Sequence, residues 1–335
     1  MPARSRTRAT AARTPARRVS AAALRERLYR SIYRIRRVEE EIARVYPSDV
    51  IKSPVHLSIG QESVAAGVCE ALEREDVVFG SYRGHAMYLA KGGDLPRMIA
   101  ELYGKATGCA RGKGGSMHLV DVASGVMGTS AVVASTIPNA VGYAYANQYL
   151  RRRGVVASFF GDGATEEGVF YESLNFARLK RLPIVFVCEN NGYAIHAPQA
   201  QRQPLSNICE RVRAFGIPAE RLGGDVLKLN ERVGRAVAQL RAGKRGPFFF
   251  ECATYRWKEH VGPGEDFGPG FRPRSELARW TKSDQLARLG RLIGGEARAK
   301  VAREVDAEIR AAFAYAAESP FPEATELMSD VWKEP

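Results

Sequence analysis

The sequence predicts an α/β domain with a mostly parallel sheet and helices on both of its faces. Apolar runs at 155–160 and 184–188 are separated by a helical segment and by Pro183, so strand, loop, helix and strand follow one another. This order is that of a βαβ unit, whose two strands are parallel. A further apolar run at 248–253 predicts another buried strand. Because ligands bind at the carboxyl ends of the strands in such sheets, the turns that follow these runs are the candidate site.

One long helix and a shorter helix–strand pair precede this unit. The first helix is predicted over 20–46, because Ser20 can cap it, an apolar stripe recurs at helical spacing, and Pro47 ends it. A second helix over 63–72 leads to a short strand at 76–79. These elements place the loops around 56–62 and 80–85 next to strands.

Three further segments are expected near the site or beside a partner. The stretch 125–146 begins as a loop and becomes a helix near Ile137, with small residues that indicate close packing of another element. The polar stretch 198–207 is predicted to be a flexible loop. The Gly/Pro-rich stretch 262–274 is suited to a lid.

The C-terminal part is predicted to be helical. Helix is expected over 275–318 with a break near Gly294-Gly295, and the segment after Glu318 is expected to wrap irregularly. Residues 19–335 therefore form one domain with a helical C-terminal extension, preceded by a basic tail at 1–18.

Two turns carry ligands for a hard cation. Asp162 lies between Gly161 and Gly163 at the end of one strand, and Asn191 lies at the end of the next strand. Carboxylate and amide oxygens suit Mg²⁺ or Ca²⁺ rather than zinc, and Mg²⁺ is often shared with substrate phosphates. The glycines let backbone N–H groups approach a ligand, and a helix that starts near Glu166 would favour phosphate. The spacing therefore predicts a site for a hard metal ion and phosphate.

Two other loops offer phosphate-binding groups. Tyr82 and Arg83 follow the short strand and provide a hydroxyl and a guanidinium, which suit phosphate oxygens, although an exposed turn would look the same. The Gly-rich basic stretch 111–118 could cradle phosphate, but it fits no P-loop pattern and is interpreted as an ordered loop near the site.

The positive charge is concentrated at the N-terminus. The net charge is +13, and residues 1–18 contain six arginines and no acid. This tail is predicted to be disordered. A solvated extension, a nucleic-acid-binding tail and a mitochondrial transit peptide are all compatible with it, but no motif that reads DNA or RNA follows. We therefore expect no nucleic-acid partner.

Cysteine usage and hydropathy indicate an intracellular protein that does not cross a membrane. The five cysteines show no CxxC spacing, and Cys69 and Cys188 lie in apolar runs, so they are expected to be reduced core residues. No apolar run is long enough to span a bilayer.

The five histidines all fall in candidate loops. His260 follows the last strand at the start of the expected lid, and His56 precedes the second helix. These two are candidates for catalysis, whereas His85 and His118 are interpreted as structural.

Seven segments, taken together and in order, resemble one known family. They are HLSIGQE, SYRGHAMYLAKG, GCARGKGGSMH, IPNAVGYAYA, the unit from GDG to NNGYAI, ATYRW with His260, and SPFP. From about residue 20, the chain resembles the α subunit of the E1 component of 2-oxo acid dehydrogenase complexes, a group that includes pyruvate, branched-chain and acetoin dehydrogenases. The resemblance implies the diphosphate-type fold of thiamine diphosphate (ThDP) enzymes.

The resemblance also implies a set of site residues. Mg²⁺ would be held by Asp162, Asn191 and the main-chain oxygen of Tyr193. The cofactor itself would be contacted by Tyr82, Arg83, Val133, Asp162, Gly163, Ala164, Asn191, Tyr193, Ile195 and His260. Ile195 would support the bent shape of the cofactor, and His260, with His56, would act in catalysis.

The implied function is ThDP-dependent oxidative decarboxylation of a small, pyruvate-like 2-oxo acid with acyl transfer to a lipoyl group. The implied partners are an E1 β subunit, in an α₂β₂ heterotetramer, and a lipoylated E2 core. The β subunit is needed because the chain has one diphosphate-type unit and no second half to hold the aminopyrimidine. A cytoplasmic bacterial enzyme is expected, with the mitochondrial matrix as the alternative.

Two departures from the family pattern leave alternatives open. Glu259 and Val261 flank His260 where the family commonly has Gly and Ser, and His196-Ala197 replaces the usual pair of small hydroxyl residues. Because these positions are expected at the mouth of the site, they are predicted to set substrate preference. A ThDP-dependent decarboxylase, carboligase or acetoin-cleaving enzyme without a lipoyl partner is one alternative, and a catalytically silent scaffold subunit is another.

Overall fold

The computed structural model describes residues 20–243, 246–267, 271–329 and 332. The basic tail at 1–18, predicted to be disordered, lies outside the described residues, as does the end of the C-terminal segment. The extent of the domain, 19–335, therefore stays a prediction.

The domain is built on a parallel sheet of six strands. The described residues form these six strands and a separate two-stranded hairpin, numbered in chain order as β1 (Val77–Ser81), β2 (Val126–Ser130), β3 (Val156–Gly161), β4 (Ile184–Asn190), β5 (Tyr193–Ala194), β6 (Ala197–Pro198), β7 (Ala219–Leu222) and β8 (Phe248–Ala253). The main sheet has the order β2-β1-β3-β4-β8-β7 with every pair parallel, and β5 and β6 form a separate antiparallel hairpin. The predicted α/β class is confirmed, with β3 and β4 as the neighbouring strands of the βαβ unit.

Helices cover both faces of this sheet. They are α1 (Ala21–Val45), α2 (Glu62–Cys69), α3 (His85–Ala90), α4 (Leu95–Leu102), α5 (Thr136–Tyr149), α6 (Gly168–Lys180), α7 (Gln199–Arg202), α8 (Ile208–Arg213), α9 (Val226–Arg241), α10 (Arg274–Lys282), α11 (Gln285–Leu292) and α12 (Gly295–Glu318). Alternation along β3 explains the two layers. Ala157 and Phe159 join a core with α1, α2, α9 and α12, whereas Val156 and Phe160 join a core with α5, α6 and α8.

The long helix α1 positions two loops of the site. Ser20 caps it by accepting the N–H of Ala23, as predicted. The buried carboxylate of Glu39 accepts the N–H of Ser58 at 2.8 and 2.9 Å and lies 3.3 Å from Nδ1 of His85. Helix α1 therefore fixes the segment around 56–62 and supports His85, which is structural as predicted.

The main departures from the predicted elements lie where local patterns are weak. Strand β2 was expected to be loop; it contains Gly128 and pairs with β1 through an irregular register. Strand β7 is polar, AERL, because it lies at the edge of the sheet. Helix α2 ends at Cys69, earlier than predicted. The C-terminal helical region breaks at Ser283-Asp284 as well as at Gly294, because Asp284 caps α11.

The polar stretch 198–207 is also more ordered than expected. It closes the β5–β6 hairpin, forms α7 and packs on the turn after β3 through hydrogen bonds from Arg202 and Gln203. The prediction of a flexible loop was wrong because those partners lie about 40 residues away in sequence and leave no local pattern.

Within the described residues, none of the helices combines the length and the apolar character needed to cross a bilayer.

Candidate active site

A cleft of about 440 Å³ opens at the carboxyl ends of β1, β3 and β4. Every residue predicted to act in the site lies on its walls: His56, Tyr82, Arg83, Val133, Asp162, Gly163, Ala164, Asn191, Tyr193, Ile195 and His260. These residues come from six separate loops. The structure thus brings the predicted site together, while the individual roles stay predictions.

One corner of the cleft offers oxygen ligands. Asp162 begins the 3₁₀ turn after β3, and its side chain is only 1% exposed. The amide of Asn191 is held in place, because its Nδ2 donates to Oε1 of Gln61 at 2.9 Å and its Oδ1 accepts the N–H of Tyr193 at 3.0 Å. Pro198 lies opposite Tyr193 in the hairpin and has no N–H to donate to the Tyr193 carbonyl. A carboxylate, an amide and a main-chain carbonyl thus line the same cleft, and oxygen donors of these kinds suit a hard divalent cation.

A cationic side chain already lies in this corner. The guanidinium of Arg202 forms ion pairs with Asp162 and with Glu166. Burial raises the pKa of Asp162, and the hydrogen bond from Arg202 opposes that effect. The corner thus accommodates a positive charge, which supports its fit to a metal cation.

The turn after β3 is closely approached by the hairpin. A Cβ atom at Gly163 would lie 3.1 Å from Cβ of Ala194, which is tighter than ordinary van der Waals contact. At Gly161 a Cβ atom would meet nothing within 4 Å. Close approach therefore explains the glycine at 163, whereas Gly161 borders open space in the cleft.

Arg83 lines the cleft, and its charge together with that of the nearby buried Arg256 makes this wall positive. Arg83 donates to the carbonyls of Leu57 at 2.6 Å and of His260 at 3.2 Å, and burial lowers its pKa. Arg256 is also buried, and burial together with Arg83 lowers its pKa to about 9. Buried charge is costly unless it is paired, so this wall favours an anionic ligand such as a diphosphate.

The two candidate catalytic histidines lie side by side. The rings of His56 and His260 are 5.1 Å apart, and His56 is 4.5 Å from the ring of Tyr82. Burial, reinforced by the charge of Arg83, lowers the pKa of each imidazole to about 3. Both rings are therefore neutral near pH 7 in the unloaded chain, and each can accept or donate a hydrogen bond.

Ile195 adopts a backbone conformation that is unusual for its type. Its φ is 54°, in the left-handed region that β-branched residues rarely occupy. The side chain of Arg256 donates to the Ile195 carbonyl at 2.8 Å. The Ile195 side chain remains 55% exposed and forms part of the cleft wall. A strained residue held by a buried arginine and facing a cleft indicates a functional constraint.

Glu259 and His196 each have a contact partner in the lid segment, 262–274. Oε1 of Glu259 accepts the N–H of Gly264 at 2.8 Å, and the Glu259 N–H donates to the Gly264 carbonyl at 3.1 Å. The ring of His196 stacks on Phe271 at 4.0 Å between centroids. The two departures from the family pattern therefore clamp the lid. Their predicted effect on substrate preference stays a prediction, and it would act through lid geometry.

Replacing Glu259 with glutamine should loosen the lid without unfolding the domain. The neutral amide accepts the Gly264 N–H less strongly than the carboxylate does. Hydrogen exchange should become faster at Gly264, while the midpoint of thermal unfolding stays nearly constant. The neighbouring Glu265→Gln variant, in which only an exposed pair with Arg274 at 3.7 Å is lost, is the control. Equal exchange rates at Gly264 in both variants would contradict the clamp.

The Gly-rich stretch 111–118 is not a phosphate cradle. The carboxylate of Glu101, which is fully buried, accepts the N–H groups of Ala110, Gly112, Gly114 and Gly115 at 2.7 to 3.0 Å. An internal anion thus takes the position that a phosphate would occupy. The interpretation as an ordered loop near the site is correct, since Met117 lines the cleft.

Sequence reasoning missed several residues of the cleft. Gln61 lies within a quoted motif, but its contact with Asn191 spans 130 residues and had no local signal. Glu189 is the second-last residue of β4, two residues before Asn191, and burial raises its pKa to about 7. The position of Glu189 near the carboxyl end of a strand could have identified it as a site residue from the sequence. Arg202 could not be found, because its partners are defined only by the fold.

Comparison with known proteins decides the family. A family model described as the dehydrogenase E1 component matches residues 30–325 of this chain. The chain belongs to this family.

Curated relatives match over nearly their whole length. The chain is 34% identical over 311 residues to the alpha subunit of acetoin:2,6-dichlorophenolindophenol oxidoreductase of Bacillus subtilis, covering 91% of this chain and 92% of the relative. It is 35% identical over 312 residues to the pyruvate dehydrogenase E1 component subunit alpha of Zymomonas mobilis, covering 90% and 87%. The corresponding subunit of Porphyra purpurea is 35% identical over 316 residues, covering 90% of each chain.

These findings confirm the resemblance seen in the sequence. The chain is an E1 subunit of the α type, and thus part of an oxidoreductase. Membership of the E1 family implies dependence on thiamine diphosphate. E1 α subunits in general work with an E1 β subunit and an E2 component.

Proposed function

We propose that this chain holds the diphosphate end of Mg–ThDP in an E1 enzyme that decarboxylates a small, pyruvate-like 2-oxo acid and passes the acyl unit to a lipoyl group. The observation that carries the proposal is the cleft itself. Oxygen ligands in one corner, a buried cationic wall and two neutral histidines meet at the carboxyl edge of the sheet. Each of these matches one part of a metal–diphosphate cofactor.

Each group of residues has a distinct role. Asp162, Asn191 and the Tyr193 carbonyl would hold the metal, and the N–H groups of Gly163 and Ala164 would contact the diphosphate. Tyr82 and Arg83 would neutralise its outer oxygens. The bound cofactor supplies the electron sink that decarboxylation needs.

The remaining residues shape the reaction space. Ile195 would support the thiazolium side of the cofactor, because its strained backbone directs an apolar side chain into the cleft. Val133, which lines the same cleft, would border the aminopyrimidine. His260 and His56 would hold or move protons at the reacting carbon as neutral acid–base groups.

A second function is favoured by the lid and by one relative. The acetoin:2,6-dichlorophenolindophenol oxidoreductase subunit is as similar to this chain as the pyruvate dehydrogenase subunits are. The clamps made by Glu259 and His196 are adjacent in sequence to His260 and Ile195, which line the cleft that the acyl acceptor would enter. An acetoin-cleaving or carboligating enzyme without a lipoyl partner is therefore the alternative. A silent scaffold subunit has little support, because the cleft carries its full set of cofactor-binding groups.

An exposed apolar surface on α5 and α6 supports a β subunit. Tyr149 is 78% and Leu179 is 70% exposed, and the rings of Tyr145 and Phe176 lie 5.6 Å apart on the same surface. A Cβ atom at Gly142 would meet nothing within 4 Å, so another chain can approach α5 closely. Contiguous exposed aromatic side chains are typical of protein interfaces. We assign this surface to the contact with E1 β in an α₂β₂ heterotetramer in the cytoplasm.

The purified chain alone should show no 2-oxo acid decarboxylation. Activation of the aminopyrimidine requires groups that we assign to the β subunit. Activity should appear on mixing with an E1 β chain, as measured by release of CO₂ from pyruvate, and acyl transfer should require a lipoylated E2 domain.

The same experiment separates the alternatives. Carbon dioxide release without any acyl transfer to the lipoylated domain would favour the carboligase. Full decarboxylation by the single chain would contradict the proposed division of the site between two subunits.

A further inference from the structure

The segment after the β5–β6 hairpin places a positive charge against the corner of the cleft that is assigned to the metal. Arg202 ends α7 and pairs with Asp162 and Glu166, and its side chain is only 12% exposed. Its Nε donates to the carbonyl of Ala197 at 3.0 Å, which fixes the direction of the guanidinium. The end of the guanidinium lies 3.9 Å from where a Cβ atom of Gly163 would be. Arg202 therefore covers the same turn that is assigned to the metal.

The neighbouring residue strengthens this contact. Nε2 of Gln203 donates to the carbonyl of Asp162 at 3.2 Å, to Oγ1 of Thr165 at 3.2 Å and to Oε1 of Glu166 at 2.8 Å. Helix α7 is thus docked on the turn after β3 by two consecutive side chains. This docking is the contact that orders a stretch whose sequence predicted a flexible loop.

The charge of Arg202 stabilises the buried carboxylate of Asp162. A carboxylate as deeply buried as that of Asp162 is costly without a partner. The guanidinium supplies that partner when no metal is bound. A divalent cation on the same carboxylate would place two cationic groups against one buried oxygen ligand, and their repulsion is weakly screened there.

We propose that Arg202 is a built-in competitor for the metal, and that a divalent cation binds to Asp162 by displacing its guanidinium. Metal binding then releases α7 from the turn after β3 and makes the segment 197–203 responsive to the metal. This inference rests on the assignment of the metal corner in the proposed function. Arg202 is then a residue that weakens metal affinity, whereas the assigned ligands strengthen it.

Titration of the purified chain with Mn²⁺ alone tests the proposal, with free Mn²⁺ followed by electron paramagnetic resonance at pH 8. Arg202→Gln should bind Mn²⁺ more tightly than the wild type by a factor between about 5 and 150, the usual range for coupled sites. Arg202→Lys should fall between the two, because lysine keeps the charge but loses the forked geometry. Arg213→Gln, at an exposed arginine of α8, is the matched control and should bind as the wild type does.

The wild-type chain provides a second measurement that needs no variant. Adding Mn²⁺ should speed hydrogen exchange at Gln203, whose N–H donates to the Gln199 carbonyl at 2.9 Å within the docked segment. Exchange in α9, on the other face of the sheet, should not change. This readout holds even if Arg202→Gln folds poorly.

The outcomes separate the inference from the function on which it rests. Equal or weaker Mn²⁺ binding by Arg202→Gln, or unchanged exchange at Gln203 while Mn²⁺ binds, would overturn the competition and leave the metal site intact. Absence of Mn²⁺ binding by the wild type and by Arg202→Gln alike would instead remove the metal corner itself and the inference with it.

Discussion

The Asp162→Ala variant should lose binding of Mg–ThDP while the domain remains folded. The carboxylate is the one anionic ligand that we assign to the metal, and its removal leaves the charge of Arg202 in the corner without its buried partner. Changes in the outer shell of a metal site typically cost about 10–100-fold in affinity, so loss of this ligand should cost more. Calorimetric titration with ThDP and Mg²⁺ measures the effect, and circular dichroism checks the fold.

Two further variants isolate the cause. Asp162→Asn keeps the shape of the side chain but removes its charge, and it should bind nearly as poorly as the alanine variant. Glu167→Gln removes a carboxylate from the same cleft without touching Asp162 or Arg202, and it should bind nearly as the wild type does. Affinity of Asp162→Ala close to that of the wild type would refute the metal assignment.

Replacing His260 with alanine should lower turnover by about 10²–10⁴-fold with a much smaller change in cofactor affinity, which is the range for a positioned acid–base group. The contact of Arg83 with residue 260 uses the main-chain carbonyl, so the variant keeps it. Loss of rate can therefore be attributed to the imidazole. The measurement is kcat of the enzyme reconstituted with its β subunit, together with the Kd for ThDP.

A histidine that does not line the cleft controls for loss of an imidazole as such. His118 is exposed on the loop at 111–118, and His118→Ala should leave kcat unchanged. Turnover of the His260→Ala enzyme equal to that of the wild type would show that His260 only supports the lid.

The sequence was sufficient for the parts of the fold that depend on local pattern. The apolar runs of β3, β4 and β8 and the turns after them were predictable, because buried parallel strands are continuous in hydrophobicity and their ends meet at one edge. The resemblance then supplied Val133 and Ile195, which the structure places in the same cleft.

Contacts between distant segments were not predictable. The polar edge strand β7 has no apolar run, and a Gly-containing strand such as β2 resembles a loop. The pairing of Arg202 with Asp162 depends on how the hairpin folds back, and the burial of Glu101 under the Gly-rich loop depends on where α4 ends. In both cases a charged side chain that could be taken for a surface residue binds another segment inside the fold.

The carboxylate of Glu101 has a consequence for the energetics of cofactor binding. Because four main-chain N–H groups already close around it, the loop that carries Met117 is folded before any ligand arrives. A binding partner spends no free energy on ordering that side of the cleft. The entropic cost of association is confined to the opposite side, formed by the hairpin, α7 and the lid. Substitutions in the hairpin, α7 and the lid can therefore change affinity through this ordering cost, while the preformed loop provides a fixed template for any ligand of the same shape.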